Sequence, residues 1–265
     1  MTKILILGGG GMIGQKLARR LTTEDIFADL ELTLFDREFP KDGLSAKTIT
    51  GDISDPAVAR TLAATRPDII FHLAAIVSGQ AEAQFDLGWD VNMMSAWHLL
   101  NALKAEHEAS SGGYVPRFVF TSSIAVFGGP FPHVIDDSFL TAPQTSYGAQ
   151  KAACELMIGD FSRKGFIDGM SLRLPTICVR PGLPNAAASG FFSGIIREPL
   201  NGHVAVLPVP DTVRHWHASP RAAVEFLIHA ANLNTTLLEG RRALNLPGIS
   251  CTVAEQNEAL RAAAG

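Results

Sequence analysis

Cysteine is scarce in this sequence: Cys154, Cys178 and Cys251 are odd in number and widely spaced along 265 residues. That argues against a disulfide scaffold, and their apolar neighbours mark them as reduced, buried thiols of the kind expected in the cytoplasm. An excess of positive charge is missing too. With 22 Lys and Arg against 26 Asp and Glu, the formal net charge is -4, which leaves no broad basic surface for nucleic acid or an anionic membrane. Long apolar runs are absent: Ile4 to Leu7, behind the single Lys3, falls far short of a signal peptide or a membrane span. Neither internal repeats nor low-complexity tracts occur. These absences leave small-molecule chemistry as the expected business of the chain, on one sizeable core with a smaller lobe grafted onto it.

Short β-branched or leucine-rich runs do recur, at Ile4–Leu7, Leu32–Phe35, Asp68–Phe71 and Phe118–Phe120, each followed by a helix-like or turn-rich stretch. This alternation predicts an α/β fold, a doubly wound parallel sheet of Rossmann type whose ligands lie beyond the carboxyl ends of the strands. Ala81 to Glu108 reads as one long helix with Phe85, Trp89, Met93, Trp97, Leu100 and Leu103 near one face, and Tyr147 to Phe161 reads as another. Those apolar stripes predict packing against the sheet or a partner subunit rather than a ligand box. Beyond Pro175 the rhythm gives way to Gly, Pro and Asn punctuation, so residues 1–174 are expected to form the nucleotide-binding domain. Residues 175–265 are expected to form mostly a substrate lobe, interleaved with the core.

The first strand runs directly into Gly8-Gly-Gly-Gly11-Met12-Ile13-Gly14 and then into the helix-forming run Gln15–Leu21. Small residues at that junction let the backbone N–H groups of a helix N-terminus approach a pyrophosphate closely, with Met12 and Ile13 carried along the same turn. Asp36 closes the second strand, twenty-two residues after Gly14, where a carboxylate would accept hydrogen bonds from the adenosine ribose. An acid there selects NAD over NADP, although the neighbouring Arg37 could attract a ribose phosphate. Asp52 and Ile53, after a third strand, either seat the adenine or form an ordinary turn.

Downstream stands Tyr147-Gly-Ala-Gln-Lys151, whose i, i+4 spacing places a phenol and an ammonium on one helical face. A nearby cation lowers the pKa of a phenol and opens it to acid–base work near neutral pH. Such a pair alone is common on solvated helices. Here it follows Phe120-Thr-Ser-Ser123 at a strand end, and Ser123 would polarise the reacting oxygen.

With these parts assembled, the sequence resembles the extended short-chain dehydrogenase/reductase family, the relatives of nucleotide-sugar epimerases. The resemblance rests on Gly8/Gly11/Gly14, Asp36, Asp52-Ile53, His72-Leu73-Ala74-Ala75, Asp90-Val-Asn92, Thr121-Ser-Ser123, Tyr147/Lys151 and Leu172-Arg-Leu-Pro175. It implies that Leu73, Ala74 and Ala75 line the cofactor and that Asn92 holds the strand-end geometry. It implies too that Pro175 and Thr176 meet the nicotinamide amide, and that two long helices form a homodimer. Several stretches are similar to one branch, the bacterial D-erythronate dehydrogenases, among them Ser122–Pro130, Arg173–Gly182, Pro184–Ser189 and Arg214–Pro220. That similarity implies oxidation of the C2 hydroxyl of a four-carbon sugar acid. A sugar epimerase, another hydroxy-acid dehydrogenase or a non-catalytic NAD sensor are the alternatives.

A short sugar acid needs a cation for its carboxylate, and Arg214 is the first candidate, with Arg180 and Arg197 competing. Ser78, Asn185 and Ser189, together with Ser123, are candidate hydroxyl partners. Where family members carry Arg-Asp, this chain has Arg214-His215, and with His217 no companion carboxylate or thiol stands at ligand spacing, so no metal is expected. The resembling enzymes continue for several tens of residues beyond the helix read from Val253, which implies an incomplete C-terminal lobe.

Overall fold

Alternating apolar residues that are buried on both sides become the strands of a doubly covered sheet, and the computed structural model, which describes residues 1–41, 44, 46–182 and 187–264, has this form. In chain order its elements are β1 (Thr2–Leu7), α1 (Met12–Thr23), β2 (Leu30–Asp36), β3 (Lys47–Thr50), α2 (Pro56–Ala64), β4 (Ile69–His72), α3 (Ser78–Ala83), α4 (Phe85–Trp89) and α5 (Ser95–Ala109). There follow β5 (Arg117–Ser123), α6 (Ser146–Arg163), β6 (Asp168–Leu174), β7 (Thr176–Ile177), α7 (Phe191–Leu200), β8 (Arg214–Ala218), α8 (Pro220–Asn232), β9 (Ala243–Asn245), β10 (Ile249–Thr252) and α9 (Val253–Ala264). The main sheet has seven strands in the order β3-β2-β1-β4-β5-β6-β9, every neighbouring pair parallel. Strand order reverses between β1 and β4, and at such a switch point an open α/β sheet leaves its ligand crevice. A second sheet of three strands, β10-β8-β7, stands beyond the carboxyl end of β6.

Period two along β1 divides the core. Ile4 and Ile6 pack with Leu17, Ala18 and Leu21 of α1 and Val224 and Leu227 of α8. Leu5 and Leu7 pack with Ala59 and Leu62 of α2, Leu99 and Leu103 of α5, and Cys154 and Ile158 of α6. Each such aliphatic side chain contributes about 1.5–3 kcal/mol when fully buried. Both layers therefore press the same sheet, and its carboxyl edge is a rigid platform.

Three expectations need correction. The long helix read over 81–108 is broken: Gln84 leaves helical geometry (φ -125°, ψ 73°), and Asp90–Met94 form a π-helical turn before α5 begins. The extra residue of that turn re-aims Asn92, which a 3.6-residue period does not foresee. Beyond Pro175 regular structure continues. Helix α8 has a Ser219 cap, Pro220 in its first turn and buried Ala223, Val224, Leu227, Ala230 and Ala231, a start signal with a helical stripe that was legible in the sequence. Helix α8 and β9 complete the main sheet and its cover. Of the cysteines, all free, Cys154 is buried but Cys178 and Cys251 are only half-buried. Among the described residues no helix is long and apolar enough to cross a membrane, and no three His, Cys, Asp or Glu side chains gather as a metal site.

Candidate active site

The turn between β1 and α1 is held by backbone hydrogen bonds and by two side chains, Asp36 and Gln15, the latter donating from Nε2 to the Gly9 carbonyl at 2.6 Å. Gly8 and Gly9 N–H both donate to the carbonyl of Phe35, at 2.9 and 3.0 Å, and Gly11 N–H donates to that of Gly8. Gly8 sits at φ +85°, and a Cβ there would lie 2.7 Å from the Ala74 nitrogen; one on Gly14 would lie 2.2 Å from the Gly8 oxygen. Helix α1 begins at Gly11 with no side-chain cap and no acid in its first turn, so its N-terminal dipole and N–H groups are left for an outside anion. The carboxylate of Asp36, at the end of β2, accepts from Gly10 N–H at 2.9 Å and Arg37 N–H at 2.7 Å and so stands beside this turn. The uncapped helix N-terminus with the Asp36 carboxylate beside it suits a pyrophosphate and its ribose. Ala74 and Ala75 follow β4 directly opposite Gly8. Asp52 accepts from Ser54 N–H and Oγ, which holds its carboxyl below the usual carboxylate range, and Ile53 is buried in the core beneath.

Helix α6 carries the phenol and the ammonium. Thr145 caps it by accepting from Gly148 N–H at 3.1 Å, which places Tyr147 in the first turn and Lys151 one turn inward. Lys151 is 1% exposed and donates from Nζ to the Thr121 carbonyl at 2.9 Å, with its charge 4.4 Å from the centre of the Phe120 ring and 5.6 Å from that of Tyr147. Burial pushes its pKa down to about 8. The phenol of Tyr147 is pushed up to about 12 by burial, and the cation that opposes this is Arg180. Ser123 closes β5, its hydroxyl accepting from Ala125 N–H at 3.1 Å.

A second set of residues supports the first, and sequence reading had not singled most of them out. Asn92, fully buried, accepts from Ile76 N–H at 2.8 Å and donates to Gln150 Oε1 at 2.8 Å, tying the loop after β4 to α6. Beneath the serine strand Ser122 donates to Glu155 at 2.5 Å, and Glu155 receives Arg173 through Nε and Nη2 at 2.9 and 2.7 Å. Both charges are under a tenth exposed. The signal for this pair was an acid facing inward on α6, one residue past Cys154. His72 lies fully buried at the end of β4 between Phe118 and Phe120, with neither ring nitrogen bonded. Burial and the nearby Lys151 push its pKa down to about 3.

Beyond β7 Arg180 donates to the Ile177 carbonyl at 3.0 Å and to Ser189 Oγ at 3.3 Å. Ser78 Oγ accepts from Ala188 N–H at 3.1 Å, so Ser78, Ser189 and Arg180 converge. Arg214 does not join them. It lies half in solvent on β8 and donates to the Ser250 carbonyl and to Glu255 at 3.2 Å. Arg197 donates to the Arg180 carbonyl and is paired with Glu198. Asn185 lies outside the described residues. Thr176, at the start of β7, bonds His215 Nε2 at 2.7 Å. His215 and His217 pack against Phe192.

A model of the NAD dependent epimerase/dehydratase family matches residues 4–218. The chain belongs to this family. Within it, the chain is 49% identical to a D-erythronate dehydrogenase of Cupriavidus necator, over 99% of this chain and 82% of the relative. It is 42% identical to a D-erythronate dehydrogenase of Haemophilus influenzae, over 95% and 79% respectively. A solved nucleoside-diphosphate-sugar epimerase from Agrobacterium tumefaciens superposes with a TM-score of 0.92 at 53% identity, covering all of this chain and 79% of that one. Family membership and the dehydrogenase relatives make the chain an NAD-dependent dehydrogenase acting on a CH–OH group.

Proposed function

We propose that the chain oxidises the C2 hydroxyl of a four-carbon sugar acid, D-erythronate, to the 2-keto acid, with Tyr147 as general base. The observation that carries this reading is that Arg180, held by Ile177 and Ser189, lies near enough to Tyr147 for its charge to oppose the upward shift of the phenol: a base in the field of a cation suits a hydroxyl beside a carboxylate. Arg180 thus replaces Arg214 as the carboxylate-binding residue, since the latter is engaged with Glu255 at the rim. Ser78 and Ser189 stand within reach of the same anion, Ser189 through its bond to Arg180.

The glycine turn, Asp36 and the loop of Ala74 and Ala75 would hold NAD, with Tyr147, Lys151, Pro175 and Thr176 toward its nicotinamide end. NAD, when bound, supplies the hydride acceptor and a positively charged ring beside the site. Tyr147, as phenolate, takes the proton of the substrate hydroxyl, while Ser123 donates a hydrogen bond to the oxygen as it becomes a carbonyl. Contrary to the expectation that Lys151 lowers the pKa of the phenol, burial holds it up at about 12 with Arg180 opposing, and the positive ring of bound NAD would add charge of the same sign and lower the cost of forming the phenolate. Arginine holds the carboxylate in a fixed plane, which orients C2.

The exposed apolar side chains of α4 to α6, namely Phe85, Trp97 and Leu156, support a homodimer through these helices, and the free thiols support a cytoplasmic setting. Light scattering on Trp97→Glu, expected to be monomeric, tests the former.

Tyr147→Phe is expected to lower turnover of D-erythronate by about 10²- to 10⁴-fold while leaving NAD affinity within about twofold. Stoichiometric NADH formation, read at its near-ultraviolet absorbance, separates oxidation from epimerisation, in which no net NADH accumulates. Full activity in Tyr147→Phe, or no NADH with any four-carbon hydroxy acid, would defeat the assignment.

A further inference from the structure

His215 is an imidazole placed beside the candidate site for which the proposed chemistry has no use. Ser123 and Leu174 are register partners at the end of β5 and β6, and Thr176, two residues further on, opens β7 just beyond that edge. The Thr176 hydroxyl and His215 Nε2 are 2.7 Å apart. The imidazole is stacked on the Phe192 ring at 4.5 Å with the planes 15° apart, and His217 meets its edge at 5.2 Å. Phe192 is itself buried, and the next residue, Ser193, accepts from Arg180 N–H at 2.9 Å. The ring is therefore locked to the helix that positions Arg180. Its other nitrogen, Nδ1, has no partner among the described residues and, unlike Nδ1 of His217, is not sealed in the interior.

A neutral imidazole fixed at one nitrogen keeps one donor or one acceptor at the other, and a hydroxyl complements either. Burial keeps the ring neutral, its pKa driven down to about 4 with the help of neighbouring His217. A carboxylate would gain nothing from this ring that Arg180 does not already offer. From this geometry we infer that His215 binds a hydroxyl of the substrate other than the one oxidised, and so makes the site selective for polyhydroxy acids over simple 2-hydroxy acids. The inference rests on the sugar-acid reading above and deepens it. Removing the partner of a desolvated hydroxyl costs about tenfold to a hundredfold in transition-state binding.

The test compares D-erythronate with (R)-2-hydroxybutyrate, which has the same reacting centre and no further hydroxyl. His215→Phe keeps the ring on Phe192 and removes both nitrogens; His215→Asn restores a carboxamide near the place of Nδ1. His215→Phe is expected to lose about tenfold to a hundredfold in kcat/KM on D-erythronate and less than about twofold on (R)-2-hydroxybutyrate, with His215→Asn recovering part of the loss. Calorimetric titration of each acid into NAD-loaded Tyr147→Phe, with and without His215→Phe, reads the same difference without turnover. It decides the matter if the deoxy acid reacts too slowly to time. Equal losses on the two acids, or none on either, would overturn the inference and leave the dehydrogenase reading intact. Failure of the wild-type chain to oxidise or bind either acid would remove both.

Discussion

Gly14, at the carboxyl edge of the main sheet, and three glycines of the C-terminal third, Gly182, Gly202 and Gly240, obey different rules. A Cβ on Gly14 would stand 2.2 Å from a backbone oxygen, whereas one on Gly182, Gly202 or Gly240 would meet nothing within 4 Å. Charged pairs divide in the same way. Glu155 and Arg173 are paired in the interior under the serine strand, while Arg214 and Glu255 are paired half in solvent at the edge of the small sheet. The glycine turn and the serine strand are thus built from tight backbone and buried partners, and the face around β7 and β8 from side chains on loops and a short sheet. A scaffold for one shared cofactor needs rigidity, and a pocket that varies between substrates is served by replaceable side chains.

The sharpest way to break this comparison is to cut both ion pairs. Arg173→Met leaves Glu155 buried beside Ser122 without its cation and is expected to cost about 3–5 kcal/mol in denaturant unfolding, whereas Arg214→Met should cost under about 1 kcal/mol. Equal costs would erase the distinction. Acid should act next most strongly, through His72. Its folded-state pKa of about 3 lies below the ordinary value of 6.5, so the unfolded chain takes up the proton first. Stability therefore declines as pH falls from 6.5 toward 3, by roughly a few kcal/mol over the window, and His72→Phe should flatten that decline in unfolding measured against pH.

Gly14→Ala forces the turn apart and is expected to weaken NAD binding by on the order of a hundredfold in fluorescence titration, because overpacking of this kind costs about 1–3 kcal/mol. Gly202→Ala is strained only by its φ of +75° and should leave NAD affinity unchanged. Among the functional losses the smallest belongs to Arg180→Met. Without its cation the phenol of Tyr147 is harder to ionise, so the ascending limb of the pH profile for oxidation should move to higher pH and KM for the acid should rise about tenfold. An unmoved profile would show that Lys151 alone sets the ionisation.

Local spacing made much of the platform legible. Short β-branched or leucine-rich runs announced β1, β2, β4 and β5, and the glycines between strand and helix, Asp36 at the next strand end and Tyr147 four residues before Lys151 each lie within one or two adjoining elements. What was not legible joins residues that the chain holds far apart. Gln150 meets Asn92 across 58 residues, Thr176 meets His215 across 39, and Asn92 stands in a π-helical turn. The choice among Arg180, Arg197 and Arg214 had the same character: the sequence put Arg214 first, and only the surroundings of the three side chains separate them.

By itself, then, the order of amino acids determined the sheet, the nucleotide turn and the phenol–ammonium pair, because backbone sterics and helical periodicity act over a few residues. Tertiary structure alone decided which arginine stands beside the phenol, which acid is buried under the serine strand, and that an imidazole is locked against Thr176. Those outcomes depend on burial and on partners brought together by packing, and neither is a property of any short stretch of chain.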